Sequence, residues 1–244
     1  MWRMLAVAGV LAACTPSPDV SVNLYQTRSD TPRDAVEIQV RNYGTDPLTV
    51  ERAELRSTRL AGVAVWDEPV EIPAGAAMDL KVDLPPPECA GGAGETVSLQ
   101  MGETSVVVDA PDTLGQVADY VAAQCFTQDV EAGSRIAVDA VTAEGLRVFV
   151  DSGPAHVGAL GTTILFAPTD PWALVAGPGE TGRREVVLRA NRCDAHALGE
   201  DKQGTYFDVA VTLPDGRSGR YTFGVDAQQR AQLYRLYADM CGLS

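Results

Sequence analysis

Apolar and polar residues alternate with period two over most of this chain, the pattern of strands that bury one face. The alternation runs through Val36-Glu37-Ile38-Gln39-Val40-Arg41 and returns in Met78-Asp79-Leu80-Lys81-Val82-Asp83-Leu84. Between them, Asn42-Tyr43-Gly44-Thr45-Asp46-Pro47 is a turn cluster that leads into extended runs at residues 48–56 and 62–66. Beyond Pro85-Pro86-Pro87 and Cys89, residues 97–101 and 105–109 flank Gly102-Glu103 as a hairpin. The second half repeats this order. Leu146, Val148 and Val150 alternate with Arg147, Phe149 and Asp151, and Ser152-Gly153-Pro154 turns the chain toward a short strand at 162–166. A run at 184–190 leads into Cys193, and strands at 205–213 and 220–225 enclose Pro214-Asp215-Gly216-Arg217.

Each half then changes period. Leu233, Leu236, Tyr237 and Met240 fall at i, i+3, i+4 and i+7, one apolar stripe of a helix. Asp226 with Gln229 three residues on is a capping-box pattern at its start. Val117, Tyr120 and Val121 occupy the same places 116 residues earlier, with Thr113 and Gln116 as the expected cap, and Cys125 maps onto Cys241 by the same offset. Cys89 maps onto Cys193 at an offset of 104, which a longer second hairpin accommodates. The chain therefore reads as one domain used twice, residues 21–127 and 128–244.

Six or seven short strands per half, with turns every 8–12 residues, is the pattern of a β-sandwich. The fold class expected is mainly β: two tandem β-sandwich domains, each closed by a short C-terminal helix. They resemble immunoglobulin-like and fibronectin-like modules at the level of fold, without the central Cys…Trp…Cys framework of antibody domains. Four cysteines allow three pairings; the repeat favours Cys89–Cys125 and Cys193–Cys241, each pinning a helix to its sandwich.

The fifth cysteine has a different setting. Residues 1–13 carry Arg3 and then the apolar run Met4 to Leu11, too short for a bilayer span of roughly 20 residues and suited to a signal peptide. The run ends in Leu11-Ala12-Ala13-Cys14, which resembles the lipobox of bacterial lipoproteins. That resemblance implies cleavage before Cys14, a diacylglyceryl group on its sulfur and a lipid anchor on the extracytoplasmic face of the cell membrane. Residues 14–20, rich in Pro and Ser, read as a tether. The layout is similar to exported lipoproteins of GC-rich Gram-positive bacteria, in keeping with 17 arginines against two lysines.

Charge narrows the partners. The net charge of −14 argues against nucleic acid, whose phosphates require a lysine or arginine patch. The acidity lies mostly in the first half, with 18 carboxylates against 7 basic residues at 14–127 and 15 against 11 at 128–244.

Candidate chemistry is sparse. His156 and His196 are the only histidines. Cys193-Asp194-Ala195-His196 with Glu200-Asp201 gathers metal-ligating types, but a zinc or copper site needs the Cys193 thiolate that the expected disulfide consumes. Asp194, Glu200 and Asp201 offer oxygen ligands for calcium, without EF-hand spacing. No Gly-x-Ser-x-Gly or phosphate loop is present, and no nucleophile stands in a recognisable pattern with a base. The expectation is no enzyme and no cofactor. Trp66, beside Asp67-Glu68-Pro69, and Trp172, beside Asp170-Pro171, are candidate binding residues for an envelope protein or glycan; the competing reading buries each in the end of its own sandwich. The function expected is an interaction or structural module of the cell envelope. Its alternatives are a ligand- or ion-binding receptor, using the His196 loop or an inter-domain cleft, and an accessory subunit of an envelope enzyme complex.

Overall fold

The computed structural model describes residues 19–27, 30, 33–194 and 204–243. The signal segment, Cys14, most of the tether, His196, Glu200 and Asp201 lie outside the described residues. The chain divides at Val121/Ala122 into two compact units.

Unit 1 contains β1 (Val20–Tyr25), β2 (Ala35–Asn42), β3 (Leu48–Val50), β4 (Arg52–Ser57), β5 (Val63–Trp66), β6 (Val70–Ile72), β7 (Ala77–Asp83), β8 (Glu95–Met101) and β9 (Thr104–Asp109). One sheet has the order β1-β2-β7 and another β5-β4-β8-β9, while β3 pairs with β6. The alternation read from the sequence sets the register. Ile38 lies opposite both Leu24 and Leu80, and Val36 opposite Val82, all on the inner face and all buried. Leu55 of β4 faces Val97 of β8, with Ala53 opposite Leu99, and these fill the other half of the core. Each Leu, Ile or Val among them contributes about 1.5–3 kcal/mol by leaving water.

Helix α1 (Gln116–Gly133) follows, and the division between the units falls inside it. Unit 2 continues with β10 (Arg135–Val141), β11 (Gly145–Asp151), β12 (His156–Leu160), β13 (Phe166–Pro168), β14 (Thr181–Ala190), β15 (Phe207–Thr212), β16 (Ser218–Phe223) and α2 (Ala227–Cys241). Its sheets have the orders β10-β11-β14-β13 and β12-β15-β16. Leu146, Val148, Val186 and Leu188 from the first meet Val157, Val209 and Val211 from the second in a single core cluster. Phe166 sits edge-on to Tyr237 at 5.8 Å, and Phe207 stacks on Phe223 at 6.0 Å, so α2 closes the core with an aromatic group. The order of elements is common to both units: β1-β2-β7 corresponds to β10-β11-β14, β4-β8-β9 to β12-β15-β16, and a helix follows each.

Helix α2 has the cap its sequence predicts. The Asp226 carboxylate accepts from the Gln229 amide at 2.7 Å, and the Gln229 side chain returns to the Asp226 amide at 3.1 Å. Asp226→Ala is expected to destabilise unit 2 by about 1 kcal/mol, with faster amide exchange in the first turn of α2. An unchanged melting midpoint would show that the core alone holds the helix.

Several elements differ from the sequence reading. Strands β1, β6, β10 and β12 are additional, and β1 already begins at Val20, the last residue of the expected tether. Residues 162–165 are not a strand: the Thr163 hydroxyl accepts from the amides of Leu165 and Phe166, a local turn that competes with sheet pairing. Thr113 does not cap α1. Asp112 takes the Ala118 amide at 2.9 Å, and Gln116 instead accepts from the amide of Gln26 at 2.5 Å, which ties the helix start to the end of β1. The helix also runs past Cys125, because Phe126 and Val130 belong to the core of unit 2.

Candidate functional site

The cysteine-bracketed end of unit 2 is covalently closed. Cys193 and Cys241 form a disulfide with Cα atoms 5.3 Å apart, and the Tyr237 hydroxyl donates to the Arg192 carbonyl one residue away. The Cys193 sulfur is therefore no thiolate ligand. Asp194 pairs with Arg192, accepting from Nε at 3.0 Å. Cys89 and Cys125 are disulfide-bonded as well. Gly91, two residues past Cys89, must be glycine: a Cβ there would lie 1.9 Å from the Thr58 carbonyl oxygen. Disulfides persist in oxidising compartments, so the folded chain belongs to an extracytoplasmic setting. No helix among the described residues is long and apolar enough to cross a membrane.

The two tryptophans differ. Trp66 ends β5, opposite Ala53 of β4, and is half-buried. Trp172 is 64 % exposed, so it does not fill the end of its sandwich. Its turn is well fixed. The Trp172 amide donates to Asp170 Oδ1 at 2.9 Å, the Pro171 carbonyl accepts from Leu160, and the Trp172 carbonyl accepts from Val175. Buried Leu174 anchors the turn while Trp172 and Val175 stay in solvent.

Two further constellations escaped sequence reading. On the outer face of unit 2, Ala137, Phe149 and Arg183 are neighbours in register across β10, β11 and β14. With Arg135, Val138 and Asp139 they line an open cleft of about 210 Å3. The Arg135 guanidinium lies 5.6 Å from the Phe149 ring centroid, and Arg183 Nε is 2.7 Å from Asp139. The signal was an aromatic residue in the polar phase of β11.

In unit 1, Tyr25, Glu37 and Lys81 form a row across β1, β2 and β7 on the outer face of the sheet. Asp30, from the connection between β1 and β2, completes the group. Lys81 Nζ is 2.6 Å from Asp30 Oδ1 and 3.2 Å from Glu37 Oε1. Asp30 is fully buried and Glu37 is 7 % exposed, although it points away from the core. The other Asp30 oxygen, Oδ2, accepts from the Thr27 amide at 2.7 Å and the Thr27 hydroxyl at 2.5 Å. Burial pushes the Asp30 carboxyl up, but the Lys81 ammonium and the Thr27 donors outweigh it and hold the pKa below the usual value. Asp30, then Glu37, raises that of Lys81. The Tyr25 hydroxyl is pushed up to about 12, chiefly by the Asp79 carboxylate and then by burial.

No protein-family pattern and no curated sequence matches this chain. Among solved structures, the CupB2 chaperone of Pseudomonas aeruginosa is similar over 80 % of this chain and 95 % of its own, at 8 % identity and a TM-score of 0.23. Red sea bream transglutaminase is similar over 86 % of this chain and 32 % of its own, at 11 % identity and a TM-score of 0.26. A chaperone–tip adhesin complex of CFA/I fimbriae shares 7 % identity over 78 % of this chain and 92 % of its own, at a TM-score of 0.19. Similarity at this level carries no argument about activity or partner.

Proposed function

We propose that this protein is a non-enzymatic lipoprotein, anchored through Cys14 on the extracytoplasmic face of the membrane, whose sandwich units act as an interaction module of the cell envelope. The lipobox-like tetrad and the disulfides support the location. The observation that carries the binding role is Trp172, a large amphipathic side chain left in solvent on a turn that is held by three hydrogen bonds. A rigid aromatic presented this way loses little entropy on contact with a protein or glycan surface.

Two variants test the reading. Cys14→Ser is expected to move the protein from the membrane fraction to the soluble one. Trp172→Ala is expected to keep the melting temperature of unit 2 while losing the dominant envelope species captured by surface cross-linking. A lower melting temperature with unchanged capture would make Trp172 a packing residue and remove the binding role.

A receptor is the second reading, favoured by the Arg135–Phe149–Arg183 cleft. Arg135 over the Phe149 ring, beside the Arg183–Asp139 pair, suits a small ligand with one anionic group, and titration calorimetry with acidic sugars on wild type and Phe149→Ala decides it.

A further inference from the structure

The Asp30–Glu37–Lys81 group of unit 1 has the parts of a condensation reaction. A primary amine touches one oxygen of a fully buried carboxyl group, at 2.6 Å. That oxygen, Oδ1, is buried, and the Lys81 ammonium is its close polar neighbour. The opposite oxygen, Oδ2, carries two donors from Thr27. A second carboxylate, Glu37, stands 3.2 Å from the same amine and is itself nearly buried. Cross-strand register fixes Glu37 opposite Lys81, so the two do not depend on a loop to meet.

Residue choice adds an independent point. The chain uses arginine for 17 of its 19 cationic side chains. A purely structural partner for buried carboxylates is better served by arginine, whose planar fork binds carboxylates bidentately. Lysine stands here, and lysine alone of the two gives up its proton to become a nucleophile.

We propose that Lys81 and Asp30 condense spontaneously into an intramolecular amide bond, with Glu37 as the catalytic proton carrier. The resting pair is an ammonium and a carboxylate. Glu37 takes one proton from Nζ and delivers it to Asp30 Oδ1, which makes a neutral amine beside a neutral acid with no net exchange with solvent. Nζ attacks Cγ, and the oxyanion that develops on Oδ2 is held by the Thr27 amide and hydroxyl. Glu37 then removes a second proton from nitrogen and passes it to the Oδ1 hydroxyl. The Cγ–Oδ1 bond breaks, one water leaves, and Lys81 keeps one hydrogen as the amide N–H. No oxidant, cofactor or activated ester is required. Fixed contact replaces bimolecular encounter, an effect with effective molarities on the order of 10⁵–10⁸ M in well-oriented systems. The product ties β7 to the connection between β1 and β2, closing a covalent loop from residue 30 to residue 81.

Peptide mapping of the purified full chain by mass spectrometry tests this. The expected result is a cross-linked peptide pair containing Asp30 and Lys81, lighter than the sum of its parts by one water, with no tryptic cleavage after Lys81. Lys81→Arg keeps the ion pair and is expected to retain the water. Glu37→Gln is expected to accumulate the uncondensed peptides. Asp30→Asn is expected to lose ammonia in place of water, which identifies the acyl donor even if another variant folds poorly. Recovery of uncondensed Asp30 and Lys81 peptides from folded wild type would overturn the proposal and leave an ion pair only. Normal condensation in Glu37→Gln would overturn the role of Glu37.

Discussion

Replacing Cys193 and Cys241 together by serine is expected to lower the stability of unit 2 by about 4 kcal/mol, the chain-entropy value for a loop of this size. The two cysteines lie 48 residues apart, so the reduced chain recovers much conformational freedom on unfolding. Helix α2 has 15 residues, a marginal length for a helix on its own. It stays docked through Leu233, Tyr237 and the disulfide. Without the disulfide, its attachment falls to those buried side chains, to Tyr234, Leu236 and Met240 packed at the core edge, and to hydrogen bonds from Tyr237 to Arg192, Gln229 to Val138 and Arg230 to Tyr206. The expected readout is an earlier urea transition of unit 2, followed by amide exchange of buried Leu233 and Tyr237 in α2, and wild type under reductant should shift in the same direction. A double-serine variant within 1 kcal/mol of wild type would mean that the aromatic core alone holds α2 in place.

The second large effect lies in unit 1. The Arg59 guanidinium is 3.2 Å from Glu95 Oε1 and 3.7 Å from Asp112 Oδ2, and the side chains of both acids are 3 % exposed. Glu95 also accepts from the Ser57 hydroxyl at 3.0 Å, and Asp112 takes the Ala118 amide of α1. Arg59 thus joins the turn after β4, strand β8 and the start of the helix. Arg59→Ala leaves two buried carboxylates without their cation, and breaking a buried pair from one side costs about 3–5 kcal/mol. Urea unfolding followed by Trp66 fluorescence should show that loss in unit 1, with the unit 2 transition unmoved. A shift below 0.5 kcal/mol would show that water reaches both acids.

These sites mark where sequence legibility ends. Strand phase was readable because one face of each sheet is buried: Ile38 opposite Leu80 follows from alternation alone, and so does the cap at Asp226. Strand β10 was missed because a bulge between Val138 and Ala140 breaks its alternation. Glu37 looked like an ordinary solvent-facing residue of β2. Its burial and its pairing with Lys81 depend on a partner from β7, which leaves no local trace. Trp172 carried a legible turn, Asp170-Pro171, but its exposure depends on how Leu174 is taken into the core.

Helix α1 has a consequence at the level of the gene. Val117 and Val121 are buried before the division between the units, and Phe126 and Val130 belong to the core after it. Crossover in the loop ahead of α1 would strip the first unit of two core residues, and crossover just beyond Gly133 would do the same to the second. A boundary that leaves both sets of buried residues with their own unit therefore falls inside α1, at Val121/Ala122, and in neither flanking loop.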